Sequence, residues 1–456
     1  MEIDFMKQKH NFSSKIGFIL AAAGSAVGLG NIWRFPYLAV KYGGGSFLLV
    51  YLILAVTFGF ALMITEIAIG RRTGKSALYA FSSLNKKCKF IGVLASIVPI
   101  IILPYYCVIG GWVVKYAWAF VSGDFEFTAY DDYFTGFISQ TGEPVLCLAI
   151  FVILTMIVIL LGVNKGIETV SKILMPILVL MSLFIAGYVI TRPGAAAGLE
   201  YYLKPDLSKI NANAFLAAMG QLFYSMSLAM GIMITYGSYL SKKDNIESSV
   251  RNIEIFDTGI AFLSGLIIAP AVFVFSGGDA EAVKQGPTLM FVTLPKVFIS
   301  MKGGHFIGIL FFVLVLFAAL TSAISLMETV VSIFENRLNI SRKWITLLVT
   351  VYTLLFAIPS SLGFGVWSGF TLFGMSILDF FDFISNSVLM PIVALLTCIF
   401  VGYIVKPKTV IDEVLISSDR FKSQRLYVFI IKYLAPIFIV LILISSILNA
   451  LGINTL

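Results

Sequence analysis

The sequence predicts an all-α integral membrane protein of about 11 transmembrane helices, arranged as an inverted five-plus-five repeat with broken helices 1 and 6. Three observations carry that prediction. The chain is 59% hydrophobic and 12% charged, with a mean hydropathy of +0.97, whereas soluble proteins carry roughly 25% charged residues. Apolar runs of the ~20 residues that a helical span needs recur along nearly the whole length. Charge is sorted between loops: six Lys/Arg lie between Arg71 and Lys89 and five between Lys406 and Arg425, while Gly123 to Glu143 holds five acids and no Lys/Arg. That asymmetry is the positive-inside pattern of a multispan protein, and it argues against reading the +8 net charge as a nucleic-acid surface.

Eleven spans are read near residues 13–37, 44–70, 89–121, 145–163, 167–190, 212–240, 250–275, 306–338, 342–360, 368–402 and 426–450. They form a single polytopic domain over 1–456, with repeat one at about 13–190, repeat two at about 212–402 and an extra span at about 426–450. The longest polar stretches, around 123–142, 277–304 and 406–425, are too short for a separate soluble domain. Basic residues Lys7, Lys9 and Lys15 flank the first run, and no small-residue cleavage site ends it, so it reads as a retained span. Alternation then places the N-terminus and the basic loops 71–89, 242–251, 337–343 and 406–425 in the cytoplasm, with the C-terminal tail outside. Cys88, Cys107, Cys147 and Cys398 stand singly, which supports neither a disulfide framework nor a zinc site.

Span one carries the run Gly24-Ser25-Ala26-Val27-Gly28-Leu29-Gly30-Asn31-Ile32-Trp33-Arg34-Phe35-Pro36. Glycines at this spacing can simply let two helices pack closely. Asn31 and Arg34 weigh against that, because polar groups at membrane depth are costly and mark function. A glycine-interrupted span points to the binding site of a secondary transporter. Span six repeats the peculiarity with Gln221-Leu222-Phe223-Tyr224-Ser225-Met226-Ser227-Leu228-Ala229-Met230-Gly231. Spans one and six lie five apart and therefore in opposite orientations, as an inverted repeat requires.

Other polar residues inside spans need a purpose. Thr321 and Ser322 in span eight can bond back to the preceding turn or offer oxygen to a hard cation. Asp257 in span seven either faces Arg251 at the cytoplasmic boundary or lies deeper and needs a cation or proton. Span three carries Pro104-Tyr105-Tyr106 near its middle, and span ten carries Asp379 and Asp382, either of which could face the interior.

Taken together, these residues resemble the neurotransmitter:sodium symporter family, in its prokaryotic amino-acid branch, from Lys9 to about Leu451. The run at 24–36, followed by Gly43-Gly44-Gly45, is the most specific part. The resemblance implies two Na+ sites. One would use carbonyls of Ala26 and Ser225, side chains of Asn31, Ser225 and Asp257, and the substrate carboxylate; the other, carbonyls of Gly24, Val27 and Ala318 with the hydroxyls of Thr321 and Ser322. It places the substrate carboxylate at the N–H groups of Leu29 and Gly30 beside Tyr106, and its ammonium at carbonyls of Ala26, Tyr224 and Ser225 with the Ser227 hydroxyl. Ile102, Tyr224, Met230, Ser322 and Leu326 would line the side-chain pocket.

In relatives that carry monoamines an aspartate stands where this chain has Gly28, which favours a substrate bringing its own carboxylate. Chloride-dependent members have a neutral residue where Asp257 falls, so chloride-independent transport is expected here. An outer gate would pair Arg34 with Asp382 under Tyr106 and Tyr224, with Gln221 beside Arg34; such a pair is worth at most about 1 kcal/mol. The inner gate would use Lys9, Phe12 and Tyr239, while the expected aspartate falls on Asn336, next to Glu335. Spans one, two, six and seven would rock against three, four, eight and nine.

The expected function is thus sodium-coupled import of a neutral, hydrophobic or aromatic L-amino acid across the inner membrane, with no nucleic-acid partner. The alternative is a non-transporting amino-acid sensor or scaffold on the same fold. An enzyme is not expected: the only histidines, His10 and His305, lie outside the spans, and no H-E-x-x-H motif occurs.

Overall fold

The computed structural model describes residues 11–276, 287–335, 337–338 and 340–450. Lys9 and Asn336, two of the expected gate residues, lie outside the described residues. Among the described residues nine helices are long and apolar enough to cross a membrane: Gly45–Thr73, Lys86–Ser122, Glu143–Leu160, Val163–Ile190, Ile246–Phe273, Gly304–Glu335, Arg342–Leu362, Ile377–Ile404 and Gln424–Leu448. A tenth is bent by 55° between Lys15–Ala26 and Gly30–Lys41. By length and composition the described residues therefore reach up to ten spans. The segment expected at 212–240 is divided into helices Ala212–Ser225 and Ile232–Ser238, each too short to cross alone.

Local chemistry sets the helix ends. The Ser14 side chain accepts from the Gly17 N–H at 3.1 Å and starts span one. Asn211 caps the sixth segment by accepting from the Ala214 N–H at 2.8 Å. Span three contains Pro99 and Pro104, and each proline removes a backbone donor from its helix. The carbonyl of Ile100, four residues before Pro104, instead accepts from the Tyr352 hydroxyl of span nine at 2.9 Å.

Span ten departs from its expected limits of 368–402. Its helix begins at Ile377, and residues 363–376 form turns with an isolated bridge between Leu372 and Met375. The loop carries several large apolar residues, but Phe373 and Gly374 adopt φ of 51° and 77°, which no helix tolerates.

Packing separates two groups. Spans one, two, six and seven contact one another, and spans three, four, eight and nine do likewise; the first half of span one also touches spans five and eight. The two interrupted segments meet where these groups face each other.

Candidate functional site

Helix Lys15–Ala26 ends inside the protein, so its last carbonyls lose their next-turn donors. The Ser322 hydroxyl of span eight crosses to them, 3.1 Å from the Ser25 oxygen and 3.4 Å from that of Val27. Its neighbour Thr321 bonds back within its own helix, to Phe317 at 3.0 Å and Ala318 at 3.1 Å. Thr321 thus takes the back-bonding option open from sequence, whereas Ser322 bonds across to span one. Gly24 packs on Thr321, with a Cβ built at Gly24 falling 3.2 Å from the Thr321 Cβ. Carbonyls of Gly24, Val27 and Ala318 and the two hydroxyls are neutral oxygen donors, the chemistry a hard cation takes.

Asp257 lies deep in the bundle, not at the boundary, with 0% of its surface exposed. Its carboxylate accepts from the Asn31 amide at 2.7 Å, the Ser225 hydroxyl at 2.7 Å and the Tyr51 hydroxyl at 3.4 Å. Asn31 Nδ2 also reaches the Asp257 carbonyl at 3.1 Å, and its Oδ1 accepts from the Gly28 N–H at 3.1 Å. Spans one, two, six and seven therefore converge on one carboxylate. A fully buried anion held only by neutral donors is a strong attractor for a small cation.

The break in span six is built differently. Residues 226–231 leave the helix, and Ser227 and Ala229 take φ of 53° and 61°. Left-handed backbone at non-glycine residues costs about 1–3 kcal/mol each and persists only when the surroundings enforce it. Here Glu66 of span two, 2% exposed, accepts the Ala229 N–H at 2.7 Å. Ser227 donates to the Ser25 carbonyl at 2.9 Å and accepts from the Ser25 hydroxyl at 3.2 Å, joining the two breaks.

Between the breaks lies a narrow cavity of about 30 Å³, room for a water or two. Ala26, Leu29, Gly30, Ile102, Tyr106, Tyr224, Ser225, Ser227, Met230, Ser322 and Leu326 all line it, together with Ser25, Gly28, Asn31 and Ile232. No charged side chain is among them. The Tyr106 hydroxyl is buried without a hydrogen-bond partner, facing Ser322 and the Leu29 amide. Close packing explains two glycines: a Cβ on Gly28 would lie 2.6 Å from Ser322 Oγ, and one on Gly30 2.5 Å from the Tyr224 ring.

The expected outer pair is not closed in this structure. No ion pair links Arg34 with Asp382 among the described residues; Arg34 lies over the Tyr224 ring, 5.2 Å from its centroid. Asp382 accepts instead from Asn386 at 2.6 Å, while Asp379 is exposed and bonded to Ser376. Asp382 is therefore the interior residue of the two. Gln221, fully buried, donates to the Gly30 carbonyl at 2.9 Å, and its Oε1 accepts no bond from Arg34.

At the other end Phe12 packs edge-on against Tyr236, and its N–H bonds the Tyr239 carbonyl at 3.2 Å. The Tyr239 hydroxyl donates to Glu328 at 2.8 Å, and Glu328 is ion-paired with Arg342. Glu328 is thus the acid that Tyr239 meets. Glu335 also reaches Arg342, at 3.3 Å.

Sequence reading missed Tyr51, Glu66, Glu328 and Arg342. Glu66 and Glu328 each carried a usable signal, a lone carboxylate within an apolar span. Tyr51 carried none, because a tyrosine in an apolar helix is ordinary core.

The sodium:neurotransmitter symporter family model matches residues 9–135 and 127–454. An uncharacterized sodium-dependent transporter of Haemophilus influenzae is 35% identical over 460 residues, covering 96% of this chain and 98% of its own. Another from Bacillus subtilis is 36% identical over 451 residues, covering 97% and 98%. The crystal structure of MhsT in complex with L-phenylalanine superposes with a TM-score of 0.86 at 38% identity, covering 96% of this chain and 99% of that one.

Proposed function

This chain belongs to the sodium:neurotransmitter symporter family, and from that premise we propose that it couples inward sodium movement to import of a neutral, hydrophobic or aromatic L-amino acid, without chloride. The reading rests on one observation: an apolar cavity between two helix breaks, edged by the Asp257–Asn31–Ser225 cluster and an unpartnered Tyr106 hydroxyl. MhsT, with L-phenylalanine bound, supports the substrate class. The relatives named above are transporters rather than enzymes.

Each residue then has a task. Asp257, Asn31 and Ser225, with carbonyls of Ala26 and Ser225, hold one sodium ion beside the substrate carboxylate. Carbonyls of Gly24, Val27 and Ala318 hold the second with Thr321 and Ser322. The substrate carboxylate takes the N–H groups of Leu29 and Gly30, at the start of a half-helix where the dipole favours an anion, and the Tyr106 hydroxyl. The ammonium takes carbonyls of Ala26, Tyr224 and Ser225 and the Ser227 hydroxyl. Ile102, Met230 and Leu326 accept the side chain, with the flexible Met230 adapting to different shapes.

Sodium and substrate share the carboxylate contact, so each tightens the other by the same factor. Asp257 supplies the fixed negative charge that would otherwise fall to a bound chloride. The two repeats lie in opposite orientation, and spans one, two, six and seven rock on the remaining scaffold. Arg34, Asp382 and Gln221 govern the outer opening. At the inner opening Phe12 and Tyr239 join Glu328 and Arg342, with Lys9 and Asn336 completing that end. The N-terminus and the basic end of the bundle face the cytoplasm.

The test is uptake of labelled leucine, phenylalanine, tyrosine and tryptophan into proteoliposomes, with and without an inward sodium gradient, in chloride or gluconate. Sodium-driven accumulation in both anions is expected. Sodium-dependent binding without accumulation would overturn the transport reading in favour of a sensor. Accumulation only in chloride would overturn the role given to Asp257.

A further inference from the structure

At the basic end of the bundle lies a second cavity, of about 420 Å³, that takes no part in the site above. The first turn of span seven walls it with Asn245, Glu247, Ser248 and Arg251; the loop before span eleven walls it with Ser418, Asp419, Arg420 and Lys422. Lys15, at the start of span one, joins its rim by donating to the Ser248 hydroxyl at 2.6 Å. Four cations (Lys15, Arg251, Arg420, Lys422) thus face two carboxylates, Glu247 and Asp419.

Glu247 is already engaged. It accepts from the Arg251 guanidinium at 3.1 Å, the Lys422 N–H at 3.2 Å and the Ser423 hydroxyl at 3.4 Å. Arg420 and Lys422 are exposed, and neither side chain forms an ion pair or donates a hydrogen bond among the described residues. The cavity therefore carries surplus positive charge on two exposed side chains beside Arg251, itself stacked over the Phe60 ring at 5.1 Å.

The apolar surroundings decide what kind of anion belongs here. Each element that brings a cation continues at once into lipid-facing surface: Ile16 after Lys15 is 65% exposed, Ile255 one turn beyond Arg251 is 67% exposed, and Leu426 and Phe429 follow the loop at 45% and 52%. A free phosphate would use only the basic cavity. A diacyl lipid uses both parts, its headgroup below and its acyl chains along the exposed residues. Basic pockets between helices on this side of a membrane protein suit anionic headgroups.

We propose that this cavity is a binding site for the headgroup of an anionic phospholipid, bridging the start of span one, span seven and the loop before span eleven. This assignment is independent of the transported substrate. Because Lys15 sits on the half of span one that ends at the cation-facing carbonyls, a bound lipid would also hold that half-helix against span seven.

The test uses the purified full chain in detergent. Bound lipid is counted by native mass spectrometry, and the melting temperature is followed, on adding dioleoylphosphatidylglycerol, dioleoylphosphatidylcholine or inorganic phosphate. Phosphatidylglycerol should be retained and raise the melting temperature, and the double variant R420Q/K422Q should weaken its binding at least about tenfold. K86Q/K87Q, which removes two exposed cations from another loop of the same end, should leave it unchanged. Lys422→Glu alone serves the same purpose if the double variant does not fold. Equal loss in the control pair would overturn the proposal in favour of diffuse surface charge. Equal retention of phosphatidylcholine, or a phosphate effect matching that of the lipid, would overturn it as well.

Discussion

The break in span one is short and leaves carbonyls facing inward, two of which accept from the Ser322 hydroxyl, while the Asn31 side chain accepts the Gly28 N–H. The break in span six runs over six residues, carries two left-handed non-glycine residues, and is pinned by the Glu66 carboxylate accepting the Ala229 N–H. One interruption thus offers oxygen, which suits cations. The other has had a backbone N–H satisfied from outside its own helix. Inverted repeats place the two interruptions at matching positions, but each is stabilised by groups that the other lacks. Ser25 and Ser227 tie them together directly, and the Asp257 carboxylate and the Gln221 amide bridge them as well.

The largest effect should come from removing the charge on which the breaks converge. Asp257→Asn keeps the shape and loses charge-assisted bonds worth about 1.5–3 kcal/mol each. The sodium concentration for half-maximal uptake should rise about 30-fold or more, and uptake should become responsive to chloride. Sodium titrations in chloride and gluconate read both effects; an unmoved titration would reduce Asp257 to a structural residue.

Next comes the support of span six. Glu66→Ala leaves a buried N–H without an acceptor, at a cost of about 1–3 kcal/mol. Substrate affinity should fall about tenfold with a smaller change in sodium affinity, and Glu66→Gln, which keeps an acceptor oxygen, should recover most of it. If sodium affinity falls equally in binding assays, the two breaks act as one unit and the contrast between them fails.

On the span-one side, Ser322→Ala removes one neutral hydroxyl, worth about 1 kcal/mol. The shift should be about fivefold and should appear in the sodium titration more strongly than in the choice among amino acids. A change in substrate preference with unaltered sodium dependence would move Ser322 from the cation site to the pocket wall.

The smallest effect is expected at Arg34, whose contact with Tyr224 is worth about 0.5–1 kcal/mol if exposed. Arg34→Ala should alter amino-acid exchange rates by less than about fivefold and leave equilibrium binding nearly intact. A complete loss of transport would show that the outer closure depends on this cation far more than its stacked position implies.

Much of the site could be read from the chain. The residues that the family resemblance implied for the pocket share one cavity, and the two runs of small and polar residues inside apolar spans pointed to the same place. Gly28 and Gly30 were legible for the same reason: the neighbours that fill their missing side chains, Ser322 and Tyr224, lie in the other clusters that stood out. The loop at 363–376 was not legible, since its Phe364, Val366, Trp367 and Phe370 run on into the apolar stretch of span ten while backbone geometry at Phe373 and Gly374 ends any helix there.

By itself, then, the sequence determined the membrane class, the positions of the apolar segments, the two interruptions and the side on which the basic loops gather. These follow from solvent: hydrocarbon admits only apolar, internally bonded helices, and each segment carries that requirement locally. Tertiary structure alone decided which buried groups became partners. Asn31 meets Asp257 across 226 residues, Glu66 meets Ala229 across 163, and Tyr239 meets Glu328 across 89. Periodicity can say that a carboxylate points inward from its helix, but the donor that meets it is fixed only when the helix faces pack.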